Sequence, residues 1–247
     1  MENSELLKRA RDLAERCERS GTVCVSGFLS PAEQYELQTR LGYIPCGLVF
    51  HGGGENRERA AAFFLPDYMT EEMLDVSEYL CAMKLKAYFG QPGHRDYMGA
   101  LLGMGIGREW LGDIQVEGDT AYVLCMKSVL RHLLSIEKAG RYTVKASQVP
   151  LEEVPARKVE TESLSFSVVS PRLDAVTAGL FHLSRTEAAK QIAAGNVSLN
   201  YTQCLKADCL VKEGDMLSLK GKGKGSISGM GGTSRKGRLF VYGEIYK

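Results

Sequence analysis

The chain has 247 residues, with 31 Lys and Arg against 30 Asp and Glu and a 44% apolar share, enough for one large domain or two to three small ones. Charge is split unevenly: residues 170–247 hold 12 Lys and Arg against 6 Asp and Glu, net +6, and the rest is net −5, so an acidic body carries a basic tail suited to a polyanionic partner. No run approaches the roughly 18 apolar residues of a membrane span. The opening MENSELLKRARDLAERCERSG lacks the apolar core of a signal peptide. Seven Cys without a C-x-x-C pair, and four scattered His, form no zinc pattern. A cytoplasmic protein with reduced thiols, no metal and no membrane contact is expected.

In chain order, Leu6, Leu7, Ala10, Leu13, Ala14 and Cys17 recur at helical spacing, predicting a helix over 3–19. TVCVSGF is a short strand. SPAEQYELQTRLG opens a helix with Ser30 as cap, Pro31 at the first position, Glu33 completing a capping box and Gly42 as the stop. IPCGLVFHGG is strand-like, and a strand is expected in GENRERAAAFFLP after a polar loop. TEEMLDVSEYLCAMKLKAYFG starts at a capping Thr70 and reads as a helix, or as a helix and then a strand. A helix through Leu102 leads into a glycine-rich turn. DIQV and TAYVLC form a hairpin around EGD, a helix spans 127–138, and YTVKA is a strand. Strands alternating with helices imply an α/β or α+β body. Residues 149–170 carry two isolated prolines and read as a linker or connecting strand. The expected domains are 1–75, 76–155 and 170–247.

Three motifs invite a chemical reading. HGGGENRER (51–59) resembles a phosphate cradle but lacks the lysine and hydroxyl of the G-x-x-x-x-G-K-[ST] spacing, so a flexible loop followed by surface charges is favoured. His94-Arg95-Asp96 has the kinase triplet without the asparagine five residues on, where Leu101 stands; Arg95 and Asp96 are expected to brace a helix start. The glycines of GALLGMGIG follow a helix instead of a strand, which removes the dinucleotide mechanism. No catalytic constellation can be assembled, so the protein is expected not to be an enzyme.

The last domain is more specific. Leu173, Val176, Leu180 and Phe181 give a first short helix an apolar face. Ser184 and Glu187 form a capping box for a second, whose Ala188, Ala189 and Ile192 face inward, and Gly195 is its left-handed stop. VSLN is a strand and Glu213-Gly214-Asp215 a corner before the next. Arg185 opens the second helix, where the dipole disfavours a cation by roughly 0.3–1 kcal/mol. Either it serves a phosphate outside the protein, together with Arg172 and Lys190, or it pairs internally with Asp174 or Glu187; the first is favoured here. GSISGMGG reads as a flexible loop before a final strand, with Arg235, Lys236 and Arg238 at its base.

RLD (172–174), LSRTEA (183–188), IAAGNV (192–197), LN (199–200) and EGDMLSLKGKGK (213–224) closely resemble the alpha-L RNA-binding domain first seen in ribosomal protein S-four. One departure is Tyr201, where a glycine commonly follows the asparagine; it is expected to alter the hairpin turn more than the RNA face. SGFLSPAEQ (26–34), HRDYMGALLGMGIGRE (94–109), GDIQVEGDTAYVL (112–124) and SRKGRLFVYGEIY (234–246) extend the likeness along the chain to the YlmH family of bacterial proteins. The resemblance implies an α+β protein: a two-part N-terminal α/β region that contacts RNA, and a small C-terminal alpha-L domain. It implies a factor of the large ribosomal subunit in ribosome-associated quality control, where a stalled subunit keeps a peptidyl-tRNA and receives a C-terminal alanine tail. Expected partners are ribosomal RNA, tRNA and other quality-control factors, with the chain a monomer. By motif position the resemblance carries RNA binding over to Arg172 and Arg185; the full candidate set adds Ser184, Thr186, Lys190, Asn200, Lys206, Lys220, Lys222, Lys224, Arg235, Lys236 and Arg238, with a candidate second contact at Arg57, Arg59, His94, Arg95 and Arg108. Two alternatives are an RNA-modifying enzyme targeted by its last domain, and an interaction protein of cell division. No cofactor is expected under the first reading.

Overall fold

A computed structural model describes residues 5–246. The chain divides into two units, Met1–Arg157 and Lys158–Lys247, and mixes helices with antiparallel sheets in an α+β architecture. In the first unit, α1 (Glu5–Ser20) and α2 (Pro31–Arg40) flank β1 (Cys24–Leu29), and β2 (Gly47–His51) and β3 (Ala60–Leu65) follow. The start expected for the first helix at residues 3 and 4 lies outside the described residues. Ser30 accepts from the Glu33 amide and Glu33 returns to the Ser30 amide, the expected box. These strands form a sheet in the order β1-β3-β2. Central β3 is buried at every position, so AAAFFL runs apolar without alternation. Leu7, Ala10, Ala14 and Cys17 of α1 cover one face with Leu37.

The other face packs against a second sheet, built from β4 (Leu80–Ala87), β5 (Leu111–Glu117), β6 (Thr120–Met126), β7 (Lys138–Ala139) and β8 (Tyr142–Val149) in the order β5-β6-β4-β8-β7. Phe28, Ala61, Phe63 and Leu65 share a core with Leu80, Ala82, Leu124 and Met126, so the sheets on either side of residue 75 are joined by common packing. On the far face lie α3 (His94–Gly103) and α4 (Leu130–Leu133), with Tyr97, Leu101, Leu130 and Leu133 against Met83, Leu85 and Val123. Two expectations need correction. Thr70 makes no side-chain cap and precedes only a 3-10 turn. The helix expected over 127–138 shrinks to a 3-10 turn and α4, because Lys138 and Ala139 pair with Thr143 and Tyr142 and the Glu137 carbonyl accepts from Val144; tertiary pairing overrides local propensity.

The second unit is a six-stranded sheet covered by two helices. Its elements are β9 (Thr161–Val168), α5 (Leu173–Leu180), α6 (Arg185–Ala193), β10 (Val197–Leu199), β11 (Thr202–Gln203), β12 (Met216–Leu219), β13 (Gly223–Thr233) and β14 (Leu239–Tyr246), with sheet order β11-β10-β12-β13-β14-β9. The stretch expected as a linker or connecting strand supplies the edge strand β9, in register with β14 from Thr161↔Tyr246 to Val168↔Leu239. The expected flexible loop over GSISGMGG is instead part of β13, paired with both β12 and β14. Its glycines answer to packing: a Cβ on Gly225 or on Gly243 across the ladder would stand 3.1 or 2.9 Å from the Leu180 methyls, so small residues let α5 settle on the sheet. Asn200 and Tyr201 both take positive φ, 48° and 66°, in the tight β10–β11 turn, where Tyr201 holds a conformation that suits glycine.

Candidate nucleic-acid interface

The helix pair of the second unit sets the site. Leu173, Val176 and Leu180 fix α5 in the core, and Ala188 and Ile192 fix α6. Ser184 caps α6 by accepting from the Glu187 amide at 3.1 Å. The Glu187 carboxylate turns to the Gln191 amide at 2.8 Å, so the reciprocal half expected of a capping box gives way to a bond along the helix. The helix starts thereby bring both Arg172, just before α5, and Arg185, first in α6, onto Asp174.

Asp174 is buried and receives both guanidiniums as forks. Arg185 donates from Nε at 3.0 Å and Nη2 at 3.3 Å, and Arg172 from Nε at 3.3 Å and Nη2 at 3.4 Å. The Ala175 amide adds a fifth bond at 2.8 Å. Burial pushes the Asp174 carboxyl up, but the bonds from Arg185 and Arg172 outweigh it and hold the group below the usual carboxylate range. Arg185 therefore does have an internal partner, contrary to the reading favoured from sequence. One carboxylate cannot neutralise two cations, however. The triad keeps a formal charge of +1, and the Arg185 and Arg172 side chains remain 56% and 39% exposed. Each guanidinium spends its Nε and Nη2 donors on Asp174, which fixes its plane and leaves its Nη1 donors, beside the start of α6, for an outside acceptor such as a phosphate oxygen. Arg238 joins them: it donates to the Ser167 carbonyl at 2.7 Å and lines, with Arg185, a shallow cavity of about 260 Å³ floored by Phe166, Ala175, Gly179 and Leu183.

The second expected contact, in the first unit, is only partly of this kind. Arg57, Arg59, His94 and Arg108 line one concavity of about 440 Å³, and exposed Arg95 is not among its lining residues. The arginines are spent internally. Arg59 donates to the carbonyls of Leu111, Phe28 and Arg108 at 3.0, 2.6 and 3.1 Å. Arg57 reaches Gln115, Val154 and Pro155 at 3.0, 3.3 and 2.9 Å, and Arg108 reaches Leu111 and Gly112 at 3.3 and 3.1 Å. Desolvation by burial lowers the pKa of all three. They clip strands to loops, a structural role that the sequence reading did not give them. The glycine run before them cradles an arginine instead of a phosphate: a Cβ on Gly52 would stand 2.5 Å from the Arg57 Cβ, and the Gly53 amide donates to His51 Nδ1 at 3.0 Å. Asp96 braces the start of α3 by accepting from the Gly93 amide at 2.8 Å.

Residues 72–153 match a family model described as "Putative RNA-binding domain in YlmH". Over 225 residues, 90% of this chain and 87% of the other, the sequence is 31% identical to "Ribosome-associated protein quality control protein P2" of Bacillus subtilis (strain 168). The chain belongs to the YlmH family. A solved structure, "Cell division protein ylmH from Streptococcus pneumoniae", is similar over 62% of this chain and 94% of its own length, with a TM-score of 0.49 and 19% identity.

In this YlmH-family chain the matched stretch holds the five-stranded sheet with α3 and α4. The expected residues of the second unit fall into separate groups. Arg185 shares Asp174 with Arg172 and a cavity with Arg238, with Thr186 and Lys190 exposed along α6. Lys220 and Lys222 sit at the β12–β13 turn and Lys224 early in β13; Lys222 donates to the Phe181 carbonyl at 3.2 Å, and the Lys224 ammonium lies 5.4 Å from the Tyr246 ring centre. Exposed Arg235 and Lys236 lie past the other end of β13, about 30 Å away at strand rise. Lys206 is exposed after β11. Asn200 donates to Asp215 at 2.7 Å and accepts from the Met216 amide at 2.8 Å, so its amide braces the turn. The sequence offers Asp174 only as an alternative partner for Arg185, a contact that depends on how the two helices pack; its hold on Arg172 is local, two residues along the chain. Among the described residues no helix is long and apolar enough to cross a membrane.

Proposed function

We propose that this chain is a non-catalytic RNA-binding factor of the large ribosomal subunit. It acts in ribosome-associated quality control, holding peptidyl-tRNA on stalled subunits while an alanine tail is added. The observation that carries the RNA-binding part is the pair of partly exposed guanidiniums, net +1 with their carboxylate, held in place by buried Asp174. Preorganised cations bind phosphate with less loss of side-chain freedom than mobile ones, and folded RNA is recognised largely by shape and backbone. The ribosomal part is supported by the name of the Bacillus subtilis relative, to which this chain is 31% identical over 90% of its length. The chain would act in the cytoplasm as a monomer, touching ribosomal RNA and tRNA and working beside other quality-control factors.

The test is retention of labelled peptidyl-tRNA on purified large subunits. The reading expects added protein to lengthen the half-life of the bound tRNA several-fold and a tRNA-free subunit to bind the protein less tightly. An unchanged half-life with the protein bound would leave an RNA-binding factor without the proposed role.

A further inference from the structure

The five-stranded sheet of the first unit is covered on only part of one face. The face that carries Met83, Leu85, Ala121, Val123 and Val144 is closed by α3 and α4. On the opposite face, Leu80, Ala82, Leu124 and Met126 meet the three-stranded sheet. Further along the same strands that cover thins: Tyr122 still packs partly buried against this core, Thr120 is buried and Gln115 is held by Arg57, while Lys86, Tyr88, Lys145 and Ser147 are exposed. The ladder then sets Gln115, Tyr122, Lys84 and Ser147 in one row and Glu117, Thr120, Lys86 and Lys145 in the next. Tyr88 continues the face past Lys86, its amide donating to the Thr143 carbonyl at 3.1 Å, and is 60% exposed. Lys138, paired with Thr143, is on this face too.

Two features of these rows are not explained by the fold. Lys86 and Lys145 are direct cross-strand partners and both are exposed; like charges directly opposite each other destabilise a sheet. Four lysines share the area with one exposed carboxylate, Glu117, which accepts from the Gln115 amide at 3.1 Å. The acids behind them are occupied: Asp113 accepts the amides of Glu58 and Arg59, and Glu58 pairs with Arg157. Among the described residues none of the four lysines is in an ion pair. The Lys84 ammonium lies 5.6 Å from the Tyr122 ring centre, setting a cation beside an aromatic surface.

We infer that the open part of this sheet binds single-stranded RNA, with the lysines on the backbone and exposed Tyr88 stacking an unpaired base. Flat aromatics among cations are a sequence-tolerant platform for unstacked bases. The inference rests on the RNA-binding reading above and adds a second surface with a different preference: unpaired strand here, folded RNA at the Asp174-centred forks.

The full-length protein is tested with two fluorescent probes, a ten-residue oligouridylate and a blunt RNA hairpin. The face variant is Lys86→Ala/Tyr88→Ala/Lys145→Ala, all exposed positions, with its melting temperature checked against wild type. The expected result is at least tenfold weaker oligouridylate binding with hairpin binding within twofold. The salt slope for the single strand should fall by about 1.4, from about 0.7 per lost phosphate contact. A 4-thiouridine crosslink should map to Tyr88 or its immediate neighbours. Oligouridylate affinity within twofold of wild type, or crosslinks lying only in the second unit, would overturn the inference, and the surface would then belong to a protein. A wild type that binds the hairpin but not the oligouridylate also overturns it while leaving the RNA-binding reading intact; a wild type that binds neither probe at low salt removes both.

Discussion

Replacing Asp174 with Asn keeps the size of the side chain and one carbonyl oxygen but puts an NH2 where Oδ2 receives Arg185 at 3.0 Å. The neutral amide can keep the Ala175 amide bond and no more than one fork contact, and the guanidiniums then repel across an uncharged group. Hydrogen bonds to charged partners contribute about 1.5–3 kcal/mol when buried, but both arginines are more than a third exposed, which brings each pair toward the surface value of about 1 kcal/mol or less. With the Asp174 side buried, a loss of about 2 kcal/mol is expected, or roughly 8–16 °C in the melting temperature of a unit this size. The effect on RNA separates two explanations. Counted as charge alone, the variant gains one positive unit and should bind RNA more tightly. If the value of Asp174 is to hold the forks, two arginines become mobile at about 0.5–1.5 kcal/mol each, and binding should weaken about tenfold despite the added charge. Anisotropy with the RNA hairpin, below the melting temperature and at several salt concentrations, decides between them. Binding by Asp174→Asn as tight as wild type or tighter would refute the positional argument.

Three further outcomes follow from the same structure. Asp174 has a lowered pKa in the fold, so its contribution is complete above the ordinary carboxylate value of about 4 and is lost as pH falls through the lowered folded value; urea midpoints of the second unit between pH 6 and 2 should drop less steeply in Asp174→Asn than in wild type. Gly179→Ala in α5 should gain about 1 kcal/mol by helix propensity alone, but its Cβ would stand 2.2 Å from the Phe166 ring, so overpacking of about 1–3 kcal/mol should make the measured change a net loss; a rise in stability would contradict the packing. Arg59→Lys gives up the fork that reaches the Leu111, Phe28 and Arg108 carbonyls and should destabilise the first unit by about 2–4 kcal/mol while hairpin affinity, measured where the variant is folded, stays within twofold.

Features set by neighbours in the chain were legible in the sequence: the Ser30 box, the Gly195 stop, the EGD hairpin and the alternation of Val197 and Leu199 depend on bonds within a few residues. Features set by distant partners were not. The end of the helix expected over 127–138 is decided by the pairing of Lys138 and Ala139 with the next strand. The glycines of KGKGKGSISGMGG suggest a loop until Leu180 of α5 is placed against the sheet. At the site, the motif positions of Arg172 and Arg185 could be read, but their common anchor depends on the crossing of two helices. The internal bonds of Arg57 and Arg59 were not legible, because the carbonyls that hold them lie mostly 30 to 100 residues away. The lysine rows around Tyr122 emerge only when three strands are set in register.

The central claim is that the Asp174-centred forks dock the protein on the large subunit. Simple loss of both arginines would strand a buried carboxylate and confuse binding with folding, so the decisive variant is Arg172→Gln/Asp174→Asn/Arg185→Gln, which removes every charge of the triad together. Wild type and this variant, each confirmed folded, are sedimented from bacterial lysate through sucrose gradients. Wild type migrating with free large subunits while the folded variant stays at the top is the predicted result. Equal migration of both with the subunit would show that docking lies elsewhere on the chain, and wild type remaining at the top even at low salt would contradict the ribosomal reading itself.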